Sequence, residues 1–221
     1  MRRAVAPEVD AGPCSVTLAG GDSHRFRAEN GCVHFTVALI GPVAVGKSTV
    51  GSLLATRVGR PFIDLDEIAE RYYDAAAMPV GELVDRAALV GMHAAHRWWQ
   101  PARVLAVEQA LVHHRGAVIA LGAGHSHFED DEYAQRVAAA LADALVVLLL
   151  PHDDPCVGRT ILAQRCRDDD RPNWDAAGLL VEWLESSQNR RLADVLVVVG
   201  SDTPTRVVQR IVSLLPAAAE H

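Results

Sequence analysis

The run Gly41-Pro42-Val43-Ala44-Val45-Gly46-Lys47-Ser48-Thr49 combines a glycine-bracketed loop, one ammonium group and two hydroxyls. That set suits a polyphosphate. Glycines let consecutive backbone N–H groups wrap phosphoryl oxygens, lysine offers a compact point charge to the β and γ groups, and a Ser or Thr hydroxyl ligates Mg2+. The pattern G-x-x-x-x-G-K-[ST] is complete, and Lys47 is the only lysine among 21 basic residues. In a chain that otherwise writes positive charge as arginine, a solitary lysine marks a position that a planar guanidinium does not fill. The expected nucleotide contacts are Gly41, Val43, Ala44, Val45, Gly46, Lys47, Ser48 and Thr49, with Ser48 also a Mg2+ ligand.

Such a loop works only between a strand and a helix. Phe35-Thr36-Val37-Ala38-Leu39-Ile40 reads as a buried strand, and Val50, Leu53, Leu54 and Val58 repeat at helical spacing. The helix then turns its unpaired N–H groups and positive dipole end toward the phosphates. Downstream, short apolar runs alternate with longer amphipathic segments, the sequence form of a parallel α/β sheet. Strands are expected at 35–40, 61–63, 117–121, 144–150 and 194–199. Helices are expected at 47–58, 66–74, 80–90, 97–114, 131–142, 154–166, 175–192 and 204–215. The near-continuous apolar run from Ala144 to Leu150 suits a central strand covered on both faces.

Composition narrows the function. The 221 residues suffice for one domain with a real core, and the net charge of -7 with no basic block argues against a nucleic-acid partner. Cys14, Cys32, Cys156 and Cys166 have no C-x-x-C spacing, and no apolar run is long enough for a bilayer. With Pro7, Glu8, Asp10 and Pro13 in place of an apolar signal core, the expectation is a reduced, cytoplasmic protein, monomer or homodimer, without a membrane partner. Residues 1–33 are assigned as a leader, either poorly ordered or a short hairpin of Val16-Thr17-Leu18 with Val33-His34-Phe35, and 34–221 as the catalytic domain. The histidine pairs His93/His96, His113/His114 and His125/His127 lack the H-E-x-x-H form, so no dedicated zinc site is expected.

Pro61-Phe62-Ile63-Asp64-Leu65-Asp66 ends a strand in two carboxylates, Val118-Ile119-Ala120-Leu121-Gly122-Ala123-Gly124 ends another in a glycine-rich turn, Arg171-Pro172 follows a polar segment, and Ala193-Asp194 precedes the last strand. In this order, from about Val37 to Leu215, the chain resembles the shikimate kinase family of small P-loop phosphotransferases. The resemblance implies a three-layer P-loop NTPase fold, a five-stranded parallel sheet with helices on both faces and a small mobile lid at about 164–175. It implies ATP and Mg2+ as nucleotide and cofactor. Asp66 matches the acceptor-binding aspartate and candidate base, Asp64 the carboxylate that reaches Mg2+, and Arg171 the lid arginine over the γ-phosphoryl group. Arg165 matches a second arginine nearer the adenosine, and Ser201 and Pro204 the adenine-contacting loop. The plain structural alternative for both aspartates is a helix N-cap, Asp66 being the better placed before Glu67-Ile68-Ala69.

The chain departs from that family on the acceptor side. Shikimate kinases hold the acceptor carboxylate with an arginine in Phe-Arg-x-x-Glu and another shortly before the late Ala-Asp. Here the first region reads Trp98-Trp99-Gln100-Pro101-Ala102-Arg103, and the second position falls near Glu185. Ala123 stands for the middle glycine, and His125 follows. The expected acceptor surface is therefore Asp66, Trp98, Trp99, Arg103, Gly122, Gly124 and His125. Lys47, Asp66 and Arg171 are the expected catalytic residues. The expected activity is ATP-dependent phosphorylation of a hydroxyl on a metabolite or natural product other than shikimate. Shikimate kinase proper, with Arg97 or Arg103 as replacement anchors, and an antibiotic O-phosphotransferase are the alternatives. A non-catalytic ATP-binding regulatory module is the alternative of another class.

Overall fold

The computed structural model describes residues 16–18, 35–169 and 178–215. In chain order the elements are β1 (Val16–Leu18), β2 (Thr36–Ile40), α1 (Lys47–Val58), β3 (Phe62–Asp64), α2 (Leu65–Ile68), α3 (Glu70–Ala75), α4 (Val80–Val90) and α5 (Met92–Trp98). There follow α6 (Gln100–His113), β4 (Val118–Ala120), a 3-10 turn (Ala123–His125), α7 (Asp131–Ala140), β5 (Ala144–Leu150), α8 (Pro155–Asp168), α9 (Leu179–Glu185), α10 (Ser187–Leu192), β6 (Val195–Val198) and α11 (Pro204–Val212). The expected leader, apart from β1, lies outside the described residues, as do Arg171 and the lid from 170 onward.

Alternation along the strands builds two cores on one sheet. Ala38, Ile40, Ile119, Leu121, Val146 and Leu148 face α6 and α7, with Val104, Val107 and Val137 across from them. Val37, Leu39, Val118, Val147, Leu149 and Val197 face the other way, against Val50, Leu54, Leu162, Val207 and Ile211 of α1, α8 and α11. Because successive side chains leave a strand on opposite faces, apolar residues at every position require cover on both sides. All seven residues of β5 are buried accordingly.

The sheet order is β1-β6-β5-β2-β4-β3. Five strands are parallel, as expected. A sixth was not: β1 pairs antiparallel with β6, Val16 opposite Val197, in place of the hairpin considered for this segment. It covers an edge that β6 would otherwise present with unpaired N–H and C=O groups. β2 is central, flanked by β4 and β5, so the loop leaving its C-terminal end emerges where neighbouring connections diverge to either side, the crevice that open α/β sheets use for ligands.

Gly51 lets α1 lie close on this sheet. A Cβ there would come within 2.5 Å of Phe62 Cε2 and 3.2 Å of Leu39 Cδ1. Helix propensity alone favours alanine by about 1 kcal/mol, but overpacking works against it. Gly51→Ala is expected to destabilise the protein by about 1–3 kcal/mol, read from the urea midpoint. A stabilised variant would show that α1 does not need this approach.

Candidate functional site

The glycine loop takes a conformation that most residues resist. Gly41 has φ 135° and Gly46 φ 104°, and Ala44 sits at φ 57°. A side chain on Gly41 would run into the carbonyl oxygen of Leu149 on β5, so the glycine is required by contact as well as by dihedral. The Lys47 ammonium is buried and donates to the carbonyls of Gly41, at 2.9 Å, and Pro42, at 2.8 Å. The lysine is thereby held against its own loop. α7 and α8 are capped by the carboxylates of Asp130 and Asp154. α1, by contrast, starts from Gly46 with no side-chain cap and no acidic residue in its first turn. An anion can take the place of the missing cap.

β3 delivers the carboxylate pair. Asp64 is the N-cap of α2, its Oδ1 accepting from the Asp66 backbone N–H at 3.1 Å. Asp66 is therefore not the cap; it stands in the first turn with 69% of its side chain exposed. The end of β4 reaches it from the other side. A Cβ at Gly122 would collide with Asp66 Oδ1 and His125 Nδ1, and one at Gly124 with the His96 ring, whereas Ala123 fits in the wall of the cavity. This explains glycine, alanine, glycine in that order.

His125 is buried. Its Nε2 is 2.8 Å from the Tyr73 hydroxyl, and its Nδ1 lies 3.7 Å from Asp66 Oδ1 without a hydrogen-bond partner. Tyr73 was not expected at the site; its one sequence signal is its place seven residues after Asp66, two helical turns on. Burial pushes the Tyr73 hydroxyl's pKa up.

The tryptophans have another task than the one expected. Trp99 is 1% exposed and packs edge-on against Tyr73, so it is a core residue that supports His125 from behind. Trp98 is covered by the Arg86 guanidinium at 4.4 Å. Neither lines the cavity that holds Asp66. Arg103 is also buried, and it donates to the carbonyls of Gly124, His127 (3.0 Å) and His96 (3.1 Å), with Nε left without a partner. It ties down the turn after β4. Burial lowers its pKa to about 10, which still leaves it a cation at neutral pH.

One cavity of about 320 Å³ joins the loop residues Gly46, Lys47, Ser48 and Thr49 to Asp64, Asp66 and Ala123. Arg165 on α8 lines it too, Nη1 donating to the Ala44 carbonyl at 3.2 Å, as does Asp169, which sequence reasoning missed. Ser201, between β6 and α11, and Pro204, the first residue of α11, are exposed and outside this cavity; between them Asp202 pairs with Arg210 at 2.7 Å. A larger hollow of about 510 Å³ opens at the opposite edge, around Thr36 and Ala144 at the starts of β2 and β5, and contains none of the motif residues.

Burial, and after it the Arg103 charge, holds two imidazoles neutral: His125 falls to about 3 and His96 to about 2. Unfolded, both would titrate near 6.5. The stability each contributes is complete above that pH and is lost as pH falls from 6.5 toward the folded values, at up to about 1.4 kcal/mol per pH unit per histidine. Stability against urea is expected to fall between pH 7 and 5, and His96→Gln and His125→Gln should each reduce the slope by about one proton. An unchanged slope in both variants would mean that neither imidazole is held neutral.

Comparison with known proteins agrees with this geometry. The family model described as shikimate kinase matches residues 43–216. A curated shikimate kinase of Streptomyces coelicolor is 34% identical over 179 residues, covering 78% of this chain and 91% of the relative. Among solved structures, a shikimate kinase from Acinetobacter baumannii in complex with shikimate aligns with a TM-score of 0.57 at 20% identity, covering 81% of this chain and 91% of that one. The Bacteroides thetaiotaomicron shikimate kinase gives 0.54 at 21%, with 81% and 97% covered. These structural likenesses carry the fold; the sequence matches carry the family. The chain belongs to the shikimate kinase family and is an ATP-dependent phosphotransferase whose acceptor group is a hydroxyl.

Proposed function

We propose that this enzyme transfers the γ-phosphoryl group of ATP to a hydroxyl of shikimate. The observation that carries the reading is the cavity that Lys47, Ser48, Asp66 and Arg165 share, together with the 34% identity to a curated shikimate kinase over most of both chains. The expectation of an acceptor other than shikimate finds no support in those comparisons.

Phosphoryl transfer asks the protein mainly for position and charge. Lys47, already desolvated and held by two carbonyls, exchanges them for phosphoryl oxygens with little reorganisation. The uncapped start of α1 and the loop amides receive the remaining phosphate charge. Ser48 and Asp64 are the residues that would hold Mg2+, which supplies neutralisation of the polyphosphate. Arg165 brings a second cation to the loop's flank, and Arg171, outside the described residues, is kept as the lid arginine. Asp66 orients the acceptor hydroxyl and accepts its proton. His125, neutral and backed by Tyr73, stands 3.7 Å from Asp66 on the side that faces the β4 turn. Ser201 and Pro204 are kept as the adenine loop.

A second reading, a different hydroxylated acceptor, has one observation in its favour. Arg103 gives its Nη donors to three backbone carbonyls, and the position of the second expected anchor falls near the exposed Glu185. Fewer cations then face an acceptor carboxylate.

Coupled ADP release with Mg·ATP and shikimate, alongside a panel of hydroxylated acids and sugars, separates the readings. Shikimate-dependent turnover is expected. Asp66→Asn should lower kcat by about 10²-fold or more, with the Kd for Mg·ATP by calorimetry within about threefold. Turnover with another acceptor alone favours the second reading. ATP binding without acceptor-dependent ADP release favours the regulatory module.

A further inference from the structure

Outside the cavity that holds Asp66, three side chains from separate segments converge: His93 on α5, Glu129 in the loop before α7 and Glu182 on α9. One ligand atom from each, an imidazole nitrogen and two carboxylate oxygens, lie within 4.8 Å of one another. His93 Nε2 and Glu182 Oε1 are 2.6 Å apart. Their supports are packed: Trp183, beside Glu182, is buried with Leu179 and Ala123 against Met92, and meets the His96 ring edge-on. His127 donates or accepts at Ser186 Oγ through Nδ1, at 3.0 Å, and its Nε2 stands 3.9 Å from Glu182 Oε2.

We propose that His93, Glu129 and Glu182 form a binding site for a divalent transition-metal ion of the zinc class. One neutral imidazole and two carboxylates make a mixed nitrogen and oxygen donor set, with three protein ligands and a fourth position for water. Around a tetrahedral ion with bonds of about 2.0–2.2 Å, ligand atoms stand about 3.3–3.6 Å apart. The closest pair, at 2.6 Å, opens by up to about 1 Å and the widest, within 4.8 Å, closes by at most about 1.5 Å, within reach of glutamate side-chain rotations. Mg2+ fits poorly, because it demands octahedral oxygen ligation and keeps its waters. The competing cation is Arg97, whose Nε bonds Glu129 Oε2 at 2.7 Å; its side chain is 65% exposed, so it leaves at small cost. The bound ion crosslinks α5, the loop before α7 and α9. The first two also hold His96 and the carbonyls that grip Arg103, so the ion stiffens the wall behind the β4 turn.

Zinc and magnesium chloride titrated separately into EDTA-stripped, nucleotide-free full-length protein test this, with calorimetry and thermal melting as readouts. Neither ATP nor acceptor is present, so the result is independent of the proposed activity. One equivalent of zinc is expected to bind with micromolar or tighter Kd and to raise the Tm, with no comparable response to magnesium. His93→Gln and Glu182→Gln should each weaken zinc binding by about 30-fold or more, comparable to loss of a metal-orienting group, while His152→Gln, on a loop before α8, leaves it unchanged. Glu129→Gln serves where either variant is unfolded by circular dichroism. Absence of stoichiometric zinc, or equal zinc affinity in His93→Gln and the parent, overturns the site and leaves a simple ion pair between α5 and α9.

Discussion

The approach of Gly41 to the Leu149 carbonyl fixes the place from which the rest of the site is measured. It presses the first residue of the phosphate loop onto the neighbouring strand, so the loop leaves the sheet at one height. Lys47 then reaches back to the Gly41 and Pro42 carbonyls, closing the loop on itself. Interiors at close-packed density do not yield continuously, and β2 and β5 are buried along their length. The loop is thus referenced to the fully buried strands at the centre of the sheet, while Asp64, Asp66 and the turn after β4 are referenced to it through β3 and β4.

The acceptor side is built on a different balance. Arg103 is a buried cation whose charge is met by backbone carbonyl dipoles at Gly124, His127 and His96. Its field, added to desolvation, keeps His96 and His125 neutral. A neutral His125 can lie beside both Lys47's loop and Asp66 without adding a second positive charge that would compete for the Asp66 carboxylate. Tyr73 fixes the ring from the opposite nitrogen, and Trp99 fixes Tyr73. The chain of supports runs from core aromatic to hydroxyl to imidazole to the edge of the carboxylate.

How much of this was legible depended on whether the signal was local. α1 and α4 begin and end at the residues expected, because a glycine-lysine turn and Pro79 mark them. The glycine loop and the two aspartates, which the structure brings to one cavity, are local strings of the same kind. α5 was missed: a helix over 97–114 was expected, but the chain breaks at Trp99 and restarts with Pro101 in the first turn of α6. Pro101 carried that start signal. The helix expected over 175–192 divides at Ser186, whose hydroxyl caps α10. β1 was weighed only against its sequence neighbours, whereas its partner β6 lies far along the chain. Asp169 and the inward turn of Trp99 are set by tertiary packing and had no pattern to announce them, and Tyr73 had only its spacing from Asp66.

The arginine at position 103 shows why a missing motif and a missing function differ. The expected Phe-Arg-x-x-Glu was absent as a string, yet a guanidinium reaches the glycine turn after β4 from α6. What the sequence could not convey is how its donors are divided. Held by three carbonyls and with Nε unpartnered, Arg103 stabilises the turn in its present form. An anion arriving there would compete with dipoles that are already aligned, and a hydrogen bond gained would be offset by one released. If the carboxylate of the proposed acceptor is recognised at this turn, its binding has to come with a rearrangement of the Gly124–His127 carbonyls. The binding energy of the acceptor and the rigidity of the segment before α7 are then coupled quantities, since whatever stiffens that segment also sets the cost of freeing the guanidinium.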